Sequence, residues 1–411
     1  MEKRIIQVEE RPPLLLNIPL SLQHLFAMFG STVLVPFLFK VDPTICLFMN
    51  GIGTLIYIFL TKGKIPSYLG SSFAFISPVL LIIDKYGGYG AAQSGFIVFG
   101  LLFILFSVII HFLGTKWIDV IFPPAAMGAI VAIIGLELAP VAAGMAGLTG
   151  EFVLKNVLVS LFTLAVGIVG SVAFTGFMSI IPILFGVICG YIFAACLGIV
   201  DFASIAAAPW FQLPQFYAPK FNLNAIMIIA PAALVVLAEH IGHLAVTGNI
   251  VGRDLIKEPG LARSLFADGL SNVISGFAGA TPNTTYGENI GVMAITKVYS
   301  TWVIGGAACF AILLSFIGKL AALIRSIPVP VMGGICILLF GVIAVSGFRI
   351  LVDSKVDYSK SSNLIMTAVI IIVGISGAKI SFGAFSVQGM VLATLVAIIM
   401  GLFYKIFKIN N

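Results

Sequence analysis

Charge is the scarcest property of this chain. Asp, Glu, Lys and Arg make up 9% of its 411 residues, against 60% hydrophobic, and the mean hydropathy is +1.16. A soluble protein of this length could not cover itself with so few charges. Residues 86–115, 156–200, 298–318, 326–348 and 380–404 contain none at all. Each exceeds the ~20 apolar residues that cross a hydrocarbon core as a helix. None alternates polar with apolar, which excludes an outer-membrane barrel. The five cysteines (Cys46, Cys189, Cys196, Cys309, Cys336) stand singly in apolar surroundings. That excludes a disulfide framework and a metal spacing, and leaves small core hydrophobes as their expected role. There is no GxxxxGK[ST] phosphate loop, hence no ATP-driven pump in this chain. No nucleophile constellation, cofactor motif or nucleic-acid patch is present. The opening MEKRIIQVEERPP is charged and reaches its first apolar run at Leu14, so no cleavable signal peptide is expected.

What is present is an all-α membrane protein. Spans are expected near 14–39, 43–61, 68–83, 89–112, 118–138, 153–175 and 180–199, then near 222–246, 261–278, 283–295, 299–318, 327–348, 361–377 and 381–404. The positive-inside rule places both termini in the cytoplasm, with most of the 22 Lys and Arg, Lys3, Arg4 and Lys408 among them, on that side. Lys319 and Arg325, together on the outside, run against it. Fourteen segments divide into two sets of seven at the Pro-rich connection 201–221, and an odd number inverts the second set. Each half has one poor span at the same place in its order, SYLGSSFAFISPVLLIID (Ser67–Asp84) and TPNTTYGENIGVMAIT around Glu288. Such paired interruptions point to a transporter site.

Few ionisable residues fall inside spans, where charge is costly and by default functional. Glu239 and His243 are four apart and share a helix face, which suits proton exchange; His240 points elsewhere. Glu288 follows Pro282, Tyr286 and Gly287 at what reads as a half-helix N-terminus, an end that favours acceptor atoms. The opposing GSSFAFISP, with Phe73, can present main-chain amides or a ring. Gln23 and His24 in the first span serve either an interhelical bond or a site. Asp268, among Gly and Ser, reads as a close-packing anchor; Glu137 and Glu151 read as solvated. Carboxylates accept and amides donate, so the residues alone point to a carrier for a small neutral polar solute, coupled to protons. A purine or anion permease, an intramembrane enzyme and a passive channel are the competing readings.

The motifs LSLQHLFAMFG, GSSFAFISP, AEHIGH and TPNTTYGENIGVMAIT resemble the nucleobase–ascorbate transporter (nucleobase–cation symporter 2) family, and its uracil branch most. The family pattern of an acidic or amide residue followed by N-x-G-x-x-x-x-T-[RKG] is met from Glu288-Asn289 to Thr296-Lys297. The resemblance implies a core domain of spans 1–4 (14–112) and 8–11 (222–318), and a gate domain of spans 5–7 (118–199) and 12–14 (327–404). It implies short strand-like breaks in segments 3 and 10. It further implies a proton-coupled uracil symporter of the cytoplasmic (inner) membrane working by alternating access. In it Glu239 and Glu288 accept from uracil N–H groups and the amides of Phe73 and Gly287 hold its carbonyls. Tyr286 packs on the ring, and Glu239, His243 and Glu288 couple protons. Lipid surrounds such a protein, and the family allows a homodimer through the gate domain. Phe340 stands where the uracil branch is expected to carry tyrosine.

Overall fold

The computed structural model describes residues 5–176, 178–382 and 385–407; Lys3, Arg4 and Lys408 of the expected cytoplasmic set lie outside them. The chain is mostly helical. It opens with α1 (Leu14–Ala27), α2 (Phe29–Phe39) and α3 (Pro43–Leu60). A three-residue strand β1 (Leu69–Ser71) and a 3₁₀ turn lead into α4 (Ile76–Lys85). Then come α5 (Tyr89–Leu113), α6 (Ile118–Ile121), α7 (Pro124–Glu137), α8 (Ala139–Met145), α9 (Leu154–Ala173), α10 (Pro182–Cys196) and α11 (Ala203–Ala207). The second half runs α12 (Leu223–Ile229), α13 (Ala232–Val251), α14 (Leu261–Ala278), β2 (Asn283–Thr285), α15 (Gly287–Thr296) and α16 (Thr301–Leu314). It closes with α17 (Gly318–Arg325), α18 (Val329–Asp353), α19 (Ser361–Ile375), β3 (Lys379–Phe382), β4 (Phe385–Gln388) and α20 (Gly389–Ile406). Among the described residues, eight helical stretches are long and apolar enough to cross a membrane, and three more are apolar but shorter. Leu105, Phe112, Val169, Val172, Val345 and Ile399 point outward, as a lipid-facing surface requires.

Local chemistry sets the ends of these elements. Asp42 caps α3, its side chain accepting from Thr44 N at 2.9 Å, with Pro43 at the first helical position. At the end of α14, Gly279 has φ +92°, and a Cβ there would lie 2.6 Å from the Tyr217 backbone nitrogen, so both conformation and space demand glycine. Close backbone approach sets the packing. A Cβ on Gly100 of α5 would sit 2.7 Å from the Gly269 carbonyl of α14, and one on Gly269 would sit 2.7 Å from the Gly100 carbonyl. Where lipid removes the hydrophobic drive between helices, small residues that let backbones meet take its place.

Three sequence-based expectations change, and two outlying cations find partners. The last helix begins at Gly389, not 381, because Lys379 to Gln388 pair as an antiparallel β3–β4 ladder. Glu137 is not solvated: its Oε2 accepts from Met390 N at 2.7 Å in the first turn of α20, and Ser77 bonds the same carboxylate. An anion at that helix N-terminus is electrostatically favoured. Lys319 and Arg325, the exceptions to the charge rule, are occupied within the protein. Lys319 donates to the Ile205 and Ala206 carbonyls at 2.9 and 2.7 Å, and Arg325 meets Asp42 Oδ2 at 2.5 Å. Cys46 and Cys336 are core residues, whereas Cys196 and Cys309 lie on the outer surface.

Residues ahead of α1 form a strap. Ile6 bridges in parallel to Val298, Thr301 N donates to Val8 O at 2.9 Å, and Ser300 Oγ donates to Glu10 O at 2.6 Å. Arg253 forks onto Glu9 and holds its carboxyl below the usual carboxylate range. The pair is solvent-exposed, so its contribution is at most about 1 kcal/mol.

Candidate functional site

The two weak spans meet at one place. β1 and β2 pair antiparallel, Leu69 with Thr285, Gly70 with Thr284 and Ser71 with Asn283. All six residues are buried. The pairing satisfies backbone groups that would otherwise be stranded at membrane depth. Thr54 adds a bond to Leu69 N at 2.9 Å, and Ser72 N donates to Pro282 O at 2.8 Å. Each strand runs into a short helix, β1 through Phe73 to α4 and β2 through Tyr286 to α15. The strands are antiparallel, so the helices leave in opposite senses with both N-termini at the centre. Those ends carry unsatisfied N–H groups and partial positive charge.

α13 packs across this centre. His243 Nδ1 lies 3.2 Å from Thr285 Oγ1, and its Nε2 is 3.2 Å from where a Cβ on Gly287 would stand. Glu239, one turn earlier, leaves Oε2 without a hydrogen-bond partner among the described residues. Glu288 stands in the first turn of α15. Glu239, His243, Gly287 and Glu288 keep some accessible surface while most of their sequence neighbours are buried. They stand where α13 meets β2 and the start of α15. Aromatic rings adjoin this centre: Phe73 lies 6.1 Å from Tyr286 and 6.0 Å, edge-on, from Phe340 of α18.

The structure therefore brings together Glu239, His243, Glu288, Gly287, Phe73, Tyr286 and Phe340. His24 stands behind the site. It is buried, and Asn289 Nδ2 reaches its Nδ1 at 3.1 Å and its carbonyl at 3.2 Å, fastening α1 to the start of α15. Gln23 beside it is half-buried. Asp268 lies on the other side of α13, its Oδ2 3.0 Å from His240 Nδ1. Among the described residues no group of His, Cys, Asp and Glu has a metal-binding arrangement.

Two participants have no obvious sequence signal. Gly70 lies flat beneath Tyr286: a Cβ there would come within 2.8 Å of the ring. Asn283 is held on all sides, its N by Asn272 Oδ1 at 2.8 Å and its amide by Ser271 and Ser275 at 3.0 and 3.4 Å. Polar residues of α14 at spacings of three and four could have marked it as the helix that supports β2.

The fold matches solved transporters at low sequence identity. The transmembrane domain of a cyanobacterium bicarbonate transporter, BicA, aligns with TM-score 0.67 at 16% identity, over 97% of this chain and 100% of that one. The murine Solute Carrier 26 family member A9 anion transporter in the inward-facing state aligns with TM-score 0.70 at 11% identity, over 98% of this chain and 70% of that one. These likenesses show the fold alone, that of a multi-pass membrane domain. Sequence narrows it. Residues 16–383 match the Permease family, and the chain belongs to it as a member of the nucleobase–ascorbate transporters. It is 63% identical to a uracil permease of Paenibacillus larvae over 99% of this chain and 98% of that protein. It is 62% identical to a uracil permease of Escherichia coli over 100% and 96%. A uracil permease of Bacillus caldolyticus is 46% identical over 98% and 95%. The chain is a transporter, not an enzyme.

Proposed function

We propose that this protein imports uracil together with protons across the cytoplasmic membrane. The observation that carries the reading is the meeting of two half-helix N-termini with two carboxylates at the β1–β2 pair, in a chain whose full-length relatives are named uracil permeases. Uracil is planar and neutral, with N–H donors that suit Glu239 and Glu288 and carbonyls that suit the amides of Phe73 and Gly287. Tyr286, resting on Gly70, packs on the ring, and Phe73 and Phe340 close the apolar edge. His243, Glu239 and Glu288 share the coupled proton. Two carboxylates disfavour an anionic substrate, despite the anion carriers among the structural neighbours.

Eight long and three shorter apolar helices, with the two strand-broken segments and α14, supply fourteen crossings. The antiparallel strand pair between the halves supports two inverted sevens. Residues 14–112 and 222–318 form the core that carries the site, and 118–199 with 327–404 form the gate. Rocking core against gate exposes the site to each side in turn. Both termini are cytoplasmic, and two copies associate through the gate, within lipid.

Radiolabelled uracil uptake into proteoliposomes tests this reading. Accumulation should follow an inward proton gradient and vanish with excess cold uracil; equal uptake without the gradient would refute proton coupling. Gly70→Ala should push Tyr286 off its seat. Overpacking of this kind costs about 1–3 kcal/mol, so calorimetry should read roughly tenfold weaker uracil binding.

A further inference from the structure

Behind the site runs a line of polar side chains that uracil recognition does not use. Asn283 of β2 bonds through its N–H to Asn272 Oδ1, and Asn272 Nδ2 bonds to Asp268 Oδ1 at 2.9 Å. Asp268 Oδ2 lies 3.0 Å from His240 Nδ1, at ion-pair distance but off the line of a hydrogen bond, which a small turn of the imidazole would complete. His240 Nε2 is 2.7 Å from Ser264 Oγ, and Ser264 Oγ is 2.6 Å from the Tyr57 hydroxyl. Tyr57 in turn meets the Ser67 hydroxyl, in the loop that follows α3. Asp268, His240, Ser264 and Tyr57 are each 0% exposed. Ser264 is in the first turn of α14 and Tyr57 in the last turn of α3, so the line leaves the middle of the fold for the end where Lys62 is exposed.

We propose that Asp268, His240, Ser264 and Tyr57 are the proton path between the centre of the core and its cytoplasmic end, laid directly behind Glu239. The inference rests on the proton-coupled reading above. Burying a carboxylate and an imidazole in a membrane protein is expensive, and apolar side chains would fasten three helices without that cost. Each inner member both gives and receives a proton, as conduction along a chain requires. A proton on Asp268 passes to His240 Nδ1 as the imidazole turns to meet it, and His240 releases its Nε2 proton to Ser264 Oγ. Ser264 passes its own to the Tyr57 oxygen, which gives up the phenolic proton at the cytoplasmic end. Every O–H or N–H bond broken is replaced by one formed at the next atom, and Asp268 ends as a carboxylate able to take the next proton from the centre.

The surroundings isolate this path. α5 presents Phe103, edge-on to His240 at 6.1 Å, and α3 presents the Tyr57 ring at 6.4 Å. On its own helix Glu239 precedes His240 and His243 lies one turn on; α14 supplies Asp268, and α15 supplies Glu288.

The test uses reconstituted full-length protein with a pH dye inside the vesicles. Wild type is compared with Ser264→Ala, Tyr57→Phe and the hydroxyl-retaining Ser264→Thr. Expected for Ser264→Ala and Tyr57→Phe is uracil counterflow within about threefold of wild type, with uracil-coupled proton influx reduced at least about tenfold and restored in Ser264→Thr. Counterflow needs no net proton transfer, so a packing role alone would depress both readouts together, and that outcome overturns the path. Undiminished proton influx in both variants also overturns it while leaving symport intact. Wild-type uracil transport with no proton movement would overturn the symport reading and the path with it.

Discussion

Replacing Glu239 by Gln is expected to weaken uracil binding by at least about 100-fold, read by calorimetry on the purified protein. A hydrogen bond to a charged group contributes about 1.5–3 kcal/mol, and 1.4 kcal/mol is a factor of ten. The exchange does more than remove that bond: an acceptor-only carboxylate becomes an amide that can turn donors toward the donors of uracil. The same variant should melt at an unchanged or higher temperature. Glu239 Oε2 has no partner among the described residues, so the wild type bears an uncompensated desolvation cost that a neutral amide lowers. Weakened binding with undiminished stability separates a ligand contact from a folding defect. Wild-type affinity in this variant would remove Glu239 from the site.

Gly269→Leu is expected to have the largest structural effect. Its Cβ would meet the Gly100 carbonyl at 2.7 Å and Ile104 N at 2.9 Å, both backbone atoms that cannot swing away. Inserting side-chain atoms there forces α5 and α14 apart, at about 3 kcal/mol or more. Thermal melts in detergent should show a large fall or no recoverable monodisperse protein. Gly341→Ala is the matched control: a Cβ there meets nothing within 4 Å, and its melt should stay near that of wild type. Comparable losses in both would mean that the α5–α14 contact is not a special constraint.

Much of this was legible in the sequence, because the bilayer makes polar residues informative. Glu239, His243 and Glu288 stood out as ionisable groups in apolar spans, and the structure gathers them with Phe73, Gly287 and Tyr286. The expected strand-like breaks appear as Leu69–Ser71 against Asn283–Thr285. Glu137 escaped because local hydrophilicity at a span end looks the same whether water or a helix N-terminus receives the carboxylate. Gly70 escaped because its role is the absence of a side chain under a ring brought from the other half. Asp268 read as a packing anchor because its partner, His240, belongs to a different helix and no spacing rule links them.

The strand pair also constrains how the protein is made. β1 lies in the first half of the chain and its ladder partner, β2, in the second. A nascent chain whose first half has entered the bilayer therefore holds Leu69–Ser71 with backbone donors and acceptors unmatched by any strand. Hydrocarbon does not tolerate that arrangement. This centre consequently cannot be completed until synthesis is well into the second half of the chain. Until β2 arrives, the first half depends on residual water, the translocation machinery or a chaperone to shelter that edge.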